Sequence, residues 1–512
     1  HDIHKYPELS NREFRTAKKV EDHLLSLGIE VETKIAYTGI VGFIRGALPG
    51  PTIALRADMD ALPVVEKTGL SFASTETTEY LGQDVGIMHA CGHDGHTCML
   101  LGAAAYLAKA ETFSGTVHFI FQPAEENEGG AKTMIEAGLF EQFPVEAVYG
   151  MHNIPGIPVG HFAVKPGPMM AAFDIFDITV VGRGGHAAIP QQTVDPLLIG
   201  TKIVEALQTL VAREINPQEP AVLSVTQFEG GDAYNVIPDQ VRIAGCTRCF
   251  SVRVQTQLEQ SIQRIASGIA SSFGATVEYR YERRYPPTVN SIEETEFAAR
   301  AAIATSGPEA VNRNPTPSMG SEDFAYMLLE KPGCYIWIGN GDGEGSCMIH
   351  NPGYDFNDDI LPIGASYWSH LVAQLLPAEE TLMSFIEHRL GRTHFTVKGK
   401  TTDRLPVIWL HGGPGGTHNP NGNLFNLSDH RKVYAYTQLG SGKSSDLSKR
   451  QWRISTFVHE LELLVAAWGL KDFHLMGGSW GTTLALEYYL KVGGQGIRSM
   501  VLQSPMLSAV DW

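Results

Sequence analysis

Long apolar runs are missing from this 512-residue sequence, and so is any excess of basic residues. No apolar stretch reaches the roughly 18 residues that a membrane-spanning helix needs. Asp and Glu outnumber Lys and Arg by 56 to 39, whereas a nucleic-acid-binding protein needs a basic face. We therefore expect neither a membrane nor a nucleic acid as partner, and a cytoplasmic location. The sequence starts at His1 rather than Met, inside a predicted helix, so we expect the true N-terminus further upstream.

Cysteine is absent from the last 135 residues, although the sequence contains six. Residues 378–512 hold 14 Lys+Arg against 11 Asp+Glu, a net charge of +3, whereas residues 1–377 hold 25 against 45, a net charge of −20. This break in composition near Pro377 predicts that two unrelated pieces are joined there. Cys246 and Cys249 could form a redox or zinc pair, but no second pair accompanies them.

The order of predicted strands and helices changes along the chain. Strands alternate with helices in residues 1–172, which is typical of a mostly parallel sheet with helices on both faces. Residues 173–285 follow the order strand, helix, strand, strand, helix, strand, which predicts a compact α+β domain, and residues 286–377 resume the first pattern. The predicted fold class is therefore α/β, with a catalytic domain (1–172 and 286–377), an inserted α+β domain (173–285) and a last domain (378–512). In the first domain, Ser10 and Glu13 have the spacing of a helix capping box.

Metal-ligand residue types are densest between positions 89 and 96. Cys91 and His93 are two residues apart, so in a tight loop both can face one ion, and a thiolate with an imidazole suits Zn²⁺ or a similar divalent metal. Further such side chains follow predicted strands or precede a Pro-Gly turn: Asp60, Glu125, Glu126, His152 and His350. Any one of them could be structural, but their recurrence at four strand-to-loop transitions favours a metal site. Of two adjacent carboxylates, one can bind metal while the other acts as general base.

Residues 1–377 resemble the metal-dependent amidohydrolases of the aminoacylase/hippurate hydrolase type, relatives of the zinc carboxypeptidases with an inserted dimerisation domain. The matching stretches follow the family's order and are HKYPELSNRE, ALRADMDALP, MHACGHDGHT, FQPAEE, GMHN, GRGGHAAIP, NVIPD, GSEDFAYM and IHNPGYDFNDD. The resemblance implies hydrolysis of the amide bond of N-acyl amino acids, with a small-molecule substrate and a homodimer formed through the inserted domain.

The resemblance also implies roles for single residues. The residues that match the family's ligands for one or two divalent ions (Zn, Mn, Co or Ni) are Cys91, His93, Glu126, His152 and His350. Glu125 matches the general base, and Asp60 matches an aspartate that orients a ligand. Asp58 stands where related subfamilies place a ligand histidine, so its role is open. His186 and Asn235, on the inserted domain, match residues that reach the substrate carboxylate or the oxyanion across a dimer.

The last 135 residues contain a different motif. A predicted strand leads into Gly-Gly-Ser479-Trp-Gly and then a helix, which is the context of a nucleophile elbow. The region resembles the N-terminal part of proline iminopeptidases, which are α/β-hydrolases, through HGGPGG, QLGSGKS and GGSWGTTLALEYY. Thr437 replaces the usual Asp, and no His follows Ser479 to activate it. We therefore expect a truncated, inactive hydrolase domain with Ser479 as a vestigial nucleophile.

Three hypotheses follow from these patterns. The first is a metallo-amidohydrolase acting on N-acyl amino acids, and the second is a serine aminopeptidase that uses Ser479. The third is a non-enzymatic fusion in which both sites are vestigial. The complete set of metal-ligand residues favours the first.

Overall fold

The structure is a computed structural model that describes residues 1–46, 48–110, 113–126, 128–341, 347–377, 382–399, 404–419 and 422–504. The chain divides into two compact units, one formed by His1–Glu111 with Gly115–Leu376 and the other mainly by Pro377–Trp512. Among the described residues, no helix combines the length and the apolar character needed to cross a bilayer.

The first unit is built around an eight-stranded sheet. Its strands, in spatial order, are Glu30–Ile35, Gly39–Arg45, Ser114–Gln122, Leu48–Asp58, Ala147–Pro155, Gly333–Gly341, Phe162–Ala163 and Val311–Asn312. The central strands Leu48–Asp58, Ala147–Pro155 and Gly333–Gly341 pair in parallel, whereas both flanks contain antiparallel pairs. The sheet is therefore mixed, and the expectation of a mostly parallel sheet holds only at its centre. Gly333–Gly341 is buried along almost its whole length, as expected for a strand covered on both faces.

Helices surround this sheet. They are Asp2–Lys5, Phe14–Ser26, His93–Ala110, Gly130–Glu136, Leu139–Gln142, Ile292–Ser306, Ala325–Glu330 and Leu361–Leu375. His93–Ala110 is rich in Ala and Leu and buries ten of its 18 residues, because it packs against both the sheet and Leu361–Leu375. Short 3₁₀ turns lie at Pro190–Gln192, Pro308–Ala310 and Asp358–Ile360.

The insertion forms a separate four-stranded antiparallel sheet. Its spatial order is Ala221–Glu229, Gln240–Cys249, Ala172–Val181 and Thr276–Tyr285. Buried and half-buried residues alternate strictly along Ala172–Val181, because the helices Pro196–Thr209 and Val252–Ser272 cover one face. Asp195 and Ser251 cap these helices by accepting hydrogen bonds from backbone N–H groups of the first turn. Three short strand pairs complete the first unit: Gly185–His186 with Val236–Ile237, Thr288–Asn290 with Gly167–Met170, and Thr77–Tyr80 with Gln83–Gly86.

The second unit contains a six-stranded sheet. Its spatial order is Leu382–His388, Gly391–Lys398, Val433–Tyr436, Val407–Leu410, Phe473–Gly478 and Ile497–Gln503. The last four strands pair in parallel. The helices Ile454–Ala467 and Trp480–Val492 pack on this sheet and bury a core that includes Leu461, Leu464 and Leu484.

Candidate functional site

Cys91 and His93 lie in a tight loop that leads into the helix His93–Ala110. Gly92 between them adopts φ +88°, a left-handed conformation that favours glycine. Both flanking side chains are buried, and Cys91 Sγ lies 3.4 Å from His152 Nε2. The loop therefore gathers a thiol and two imidazoles, from Cys91, His93 and His152, within 4.8 Å of one another.

A hydrogen bond at Nδ1 orients the ring of each buried histidine. His152 Nδ1 lies 2.6 Å from the backbone oxygen of Asn153, and His93 Nδ1 lies 3.1 Å from Asp60 Oδ1. Nδ1 donates in each pair, so both Nε2 atoms are left with a lone pair for an ion. Asp60 in turn accepts hydrogen bonds from Ser10 Oγ at 2.6 Å and from the backbone N–H of Glu126 at 2.9 Å.

The proposed capping box at Ser10 and Glu13 is wrong. The helix begins at Phe14 with Glu13 as its N-cap residue and without a side-chain cap. Ser10 donates to Asp60 instead, and the Glu13 carboxylate accepts hydrogen bonds from Thr38 and from the backbone N–H of Ala124. Both side chains therefore make hydrogen bonds near the site and do not cap the helix.

Glu125 and Glu126 follow the strand Ser114–Gln122 at a strained turn, because Ala124 adopts φ +55°. Glu126 Oε1 lies 3.9 Å from His93 Nε2 and 3.3 Å from His350 Nε2. His350, itself at φ +67°, is about half exposed and lies in a turn. The structure thus brings Glu126 and His350 to the same place as Cys91.

The donor set fits divalent metal ions. His93 Nε2 and Glu126 Oε1 are buried and have no hydrogen-bond partner among the described residues, which is costly unless an ion occupies the space between them. Two ligand atoms that are each about 2 Å from one ion lie roughly 3 to 4 Å apart, as these atoms do. Burial alone would lower the pKa of His93, but Asp58 and Asp60 raise it to about 10. The pocket is therefore strongly negative and suited to cations.

Glu125 is buried beside this cluster. Burial and the neighbouring carboxylates of Glu322 and Glu126 raise its pKa well above the usual range. The backbone N–H of Asp323 donates to Glu125 Oε1 at 3.4 Å, and the Tyr285 hydroxyl donates to the Glu125 backbone oxygen. Glu125 is therefore held by its side chain and by its backbone. A carboxylate with a raised proton affinity in a fixed position can take up and return a proton.

A buried ionic network below Glu125 was not predicted from the sequence. Arg56 donates to Asp58 Oδ2 at 2.7 Å, to Glu322 Oε1 at 2.9 Å and to Asp323 Oδ1 at 3.0 Å. Its fourth partner is Gln122 Oε1 at 2.8 Å. Two features of the sequence could have indicated this network: an arginine inside the apolar strand TIALRAD and the two adjacent acids of GSEDF.

His96 was also missed, although it lies one helical turn after His93. Its Nδ1 donates to Asp58 Oδ1 at 2.6 Å, and its Nε2 accepts from the backbone N–H of Asn153 at 3.0 Å. Asp58, whose role the sequence left open, is therefore bonded to His96 and Arg56. One Asp58 oxygen still lies 3.8 Å from His93 Nε2.

His186 and Asn235 lie apart from these groups. Gly185–His186 pairs with Val236–Ile237, and the backbone N–H of Ala187 donates to the Asn235 oxygen at 3.0 Å. Both predicted residues are thus exposed neighbours at one two-stranded ladder of the inserted domain, whose strands are far apart in sequence. His186 belongs to none of the groups of potential ligands found among the described residues.

Ser479 occupies a sharp turn in the second unit. It adopts φ +52° between the strand Phe473–Gly478 and the helix Trp480–Val492, and its backbone N–H donates to the Gln503 oxygen at 2.9 Å. This strand–turn–helix geometry is that of a nucleophile elbow. Gly412 lies next to it, since a Cβ there would be 3.2 Å from the Ser479 Cβ.

Comparison with known families agrees with both resemblances. The model of peptidase family M20/M25/M40 matches residues 54–374, and the model of the alpha/beta hydrolase fold matches residues 406–512. The predicted fold class, a zinc-peptidase-like α/β domain followed by an α/β-hydrolase segment, is confirmed.

Individual relatives match the first unit over nearly their full length. Thermostable carboxypeptidase 1 of Saccharolobus solfataricus is 42% identical over 71% of this chain and 91% of its own. N-acetylcysteine deacetylase of Bacillus subtilis is 39% identical, and hippurate hydrolase of Campylobacter jejuni 40%, each over 73% of this chain and 95% of its own. A solved dinuclear metal-binding peptidase of the M20 family from Bacillus subtilis is 35% identical with a TM-score of 0.63, over 74% of this chain and 96% of that chain. The chain therefore belongs, through its first unit, to the metal-dependent amidohydrolases of peptidase family M20/M25/M40.

Proposed function

We propose that the first unit hydrolyses the amide bond of N-acyl amino acids, releasing a carboxylic acid and an amino acid. Two buried ligand atoms support this proposal, because His93 Nε2 and Glu126 Oε1 have no hydrogen-bond partner in the described part of the chain and lie directly beside the buried Glu125. Relatives named as a hippurate hydrolase and an N-acetylcysteine deacetylase support this substrate class.

Five residues would hold the ions, and they are Cys91, His93, Glu126, His152 and His350. Bound divalent ions would lower the pKa of a water molecule and polarise the amide carbonyl. Cys91 would bind as a thiolate, which needs a cation, because burial and then Glu126 and Glu125 raise the pKa of its thiol well above the usual range.

Glu125 carries the proton through the reaction. One carboxylate oxygen accepts the proton of the attacking water, while Oε1 keeps its hydrogen bond from the backbone N–H of Asp323. As the new C–O bond forms and the C–N bond breaks, Glu125 returns this proton to the nitrogen of the leaving amine. The high proton affinity that burial confers on Glu125 favours the first transfer.

His186 and Asn235 are proposed to contact the substrate carboxylate or the developing oxyanion. Both are exposed at the same two-stranded ladder of the inserted domain, so they are accessible to a substrate or to a second copy of the chain. We propose that they act in a homodimer formed through residues 173–285, with the partner copy supplying them to the site.

The test is a hydrolysis screen over hippurate and N-acetyl amino acids. The protein is stripped with a chelator and assayed before and after addition of Mn²⁺, Co²⁺, Ni²⁺ or Zn²⁺. We expect turnover only with added metal. Chelator-resistant turnover would contradict the proposal.

The second candidate is a serine hydrolase activity at Ser479, favoured by the strained turn at that residue. We propose that it is inactive, because the buried histidines of this unit have other partners. His411 Nε2 accepts from the backbone N–H of Gln438, and His418 contacts the hydroxyls of Thr396 and Thr437. Chelator-insensitive cleavage of a prolyl-arylamide, lost in Ser479→Ala, would support the second candidate instead.

A further inference from the structure

The inserted domain joins the catalytic domain at two neighbouring strands. The chain enters near Phe173 and returns at the end of Thr276–Tyr285, where Phe173 pairs with Tyr285 across the sheet. Pro286 and Pro287 follow directly, and the restricted φ of proline stiffens this return. Tyr285 is therefore the last residue of the inserted sheet and sits at a rigid junction.

The side chain of Tyr285 points away from its own domain toward the catalytic site. It is 5% exposed, and its ring packs edge-on against Tyr326 with the ring centroids 6.3 Å apart. Its hydroxyl donates a hydrogen bond to the backbone oxygen of Glu125. The inserted domain thus contacts the backbone of the proposed general base directly.

A second link reaches the side chain of Glu125. Arg248, on the inserted sheet, donates a hydrogen bond to the Ser321 hydroxyl. Two residues later, the backbone N–H of Asp323 donates to Glu125 Oε1 at 3.4 Å. Through Tyr285 and the 321–323 turn, the inserted domain holds Glu125 by both its backbone and its carboxylate.

We propose that Tyr285 is a positioning residue, through which the inserted domain aligns Glu125 for proton transfer. This inference rests on the proposed function, since it assigns Glu125 the role of base. Misplacement of a reacting group by about 1 Å can cost on the order of a hundredfold in rate. Loss of one of two links should therefore lower kcat without changing substrate binding.

Tyr285→Phe tests this, because it removes the hydroxyl and keeps the buried ring. The metal-loaded protein is assayed on an acyl-amino acid that the wild type turns over. We expect kcat to fall about tenfold, with KM within about twofold and metal content unchanged. The matched control is Tyr326→Phe, which removes a hydroxyl of the same junction that donates to the Arg284 backbone oxygen instead. It should keep wild-type kcat.

The inference is overturned if Tyr285→Phe keeps wild-type kcat, or if its kcat falls no further than that of Tyr326→Phe. A change in KM alone would also overturn it. If Tyr285→Phe does not fold, Ser321→Ala replaces it, because this variant removes the other link between the inserted domain and Glu125. We expect kcat about threefold lower at unchanged KM. Wild-type kcat in Ser321→Ala would contradict the positioning of Glu125 by the inserted domain. Glu125→Gln in the same assay distinguishes failure of the proposed function from failure of the positioning role. Retained turnover in Glu125→Gln defeats the proposed function itself. An inactive Glu125→Gln beside an unaffected Tyr285→Phe defeats only the positioning role.

Discussion

Asp60 orients His93, and its own position depends on two further hydrogen bonds. Its Oδ1 accepts from His93 Nδ1, whereas Oδ2 accepts from Ser10 and from the backbone N–H of Glu126. The one carboxylate thus connects three segments that are distant in sequence. An error in its position would move two proposed metal ligands, His93 and Glu126, at once.

We expect Asp60→Asn to weaken metal binding by about 10- to 100-fold, because the amide no longer offers two acceptor oxygens to these donors. Competition against a chromophoric chelator measures this loss. Asp232→Asn, at an exposed position of the inserted domain, serves as control and should bind metal like the wild type. Equal affinities in the two variants would show that Asp60 does not orient the ligands.

The residues of the site differ in how far the sequence could predict them. Cys91 and His93 share one short motif, so their common role follows from local spacing. The partners of Arg56 are not local, because Glu322 and Asp323 lie 266 and 267 positions away. Spacing within a motif cannot pair groups that only the folded sheet brings together. Ser10 was misassigned for the same reason, since a local capping pattern concealed a contact 50 residues away.

The loop before the helix His93–Ala110 depends on Gly92. A Cβ added there would lie 2.4 Å from Asn153 Oδ1 and 2.7 Å from the Tyr354 hydroxyl, and both of these side chains are fully buried. Asn153 also donates to Tyr354, so neither side chain can move without breaking this contact. The loop therefore has no space for a larger residue between the two proposed ligands.

Gly92→Ala should lower the free energy of unfolding by roughly 2–4 kcal/mol, from the clash and the unfavourable φ together. Gly69→Ala separates these causes, because Gly69 has a similar φ of +74° with open space around the added Cβ. We expect it to cost only about 1 kcal/mol. Urea unfolding of both variants gives the comparison, and equal losses would mean that the packing around Gly92 is unimportant.

Elements were predicted more reliably than their ends. The start of the helix Phe14–Ser26 was predicted wrongly, because Ser10 bonds to Asp60 and does not cap the helix. The insertion's order of strands and helices was correct, since alternation of apolar residues is visible in strands with one covered face. The antiparallel flanks of the large sheet were missed, because a buried strand has the same apolar pattern in either direction.

At the scale of the whole chain, the second unit has a buried acid of its own. Glu460 is fully buried in the helix Ile454–Ala467, and burial raises its pKa to about 7, although hydrogen bonds from Thr393 and Leu439 lower it. The folded second unit therefore holds a proton on Glu460 that the unfolded chain releases near pH 4.5. Its stability is greatest below pH 4.5 and falls as the pH rises toward 7, by roughly 3 kcal/mol.

Glu460→Gln should remove this dependence. At pH 5 the variant should match the wild type, and at pH 8 it should be more stable by roughly 3 kcal/mol. Hydrogen exchange of peptides from the helix Ile454–Ala467 reports on the second unit alone. The same difference at both pH values would show that Glu460 does not titrate in this range.

For the whole molecule, we propose that hydrolysis occurs in the first unit and depends on Glu125, and one variant tests this most directly. Glu125→Gln is isosteric and leaves every proposed metal ligand in place, so metal content by elemental analysis should equal that of the wild type. Hydrolysis of acyl-amino acids should fall by at least about a thousandfold, because a neutral amide cannot accept a proton. Normal metal content with turnover near that of the wild type would contradict the account.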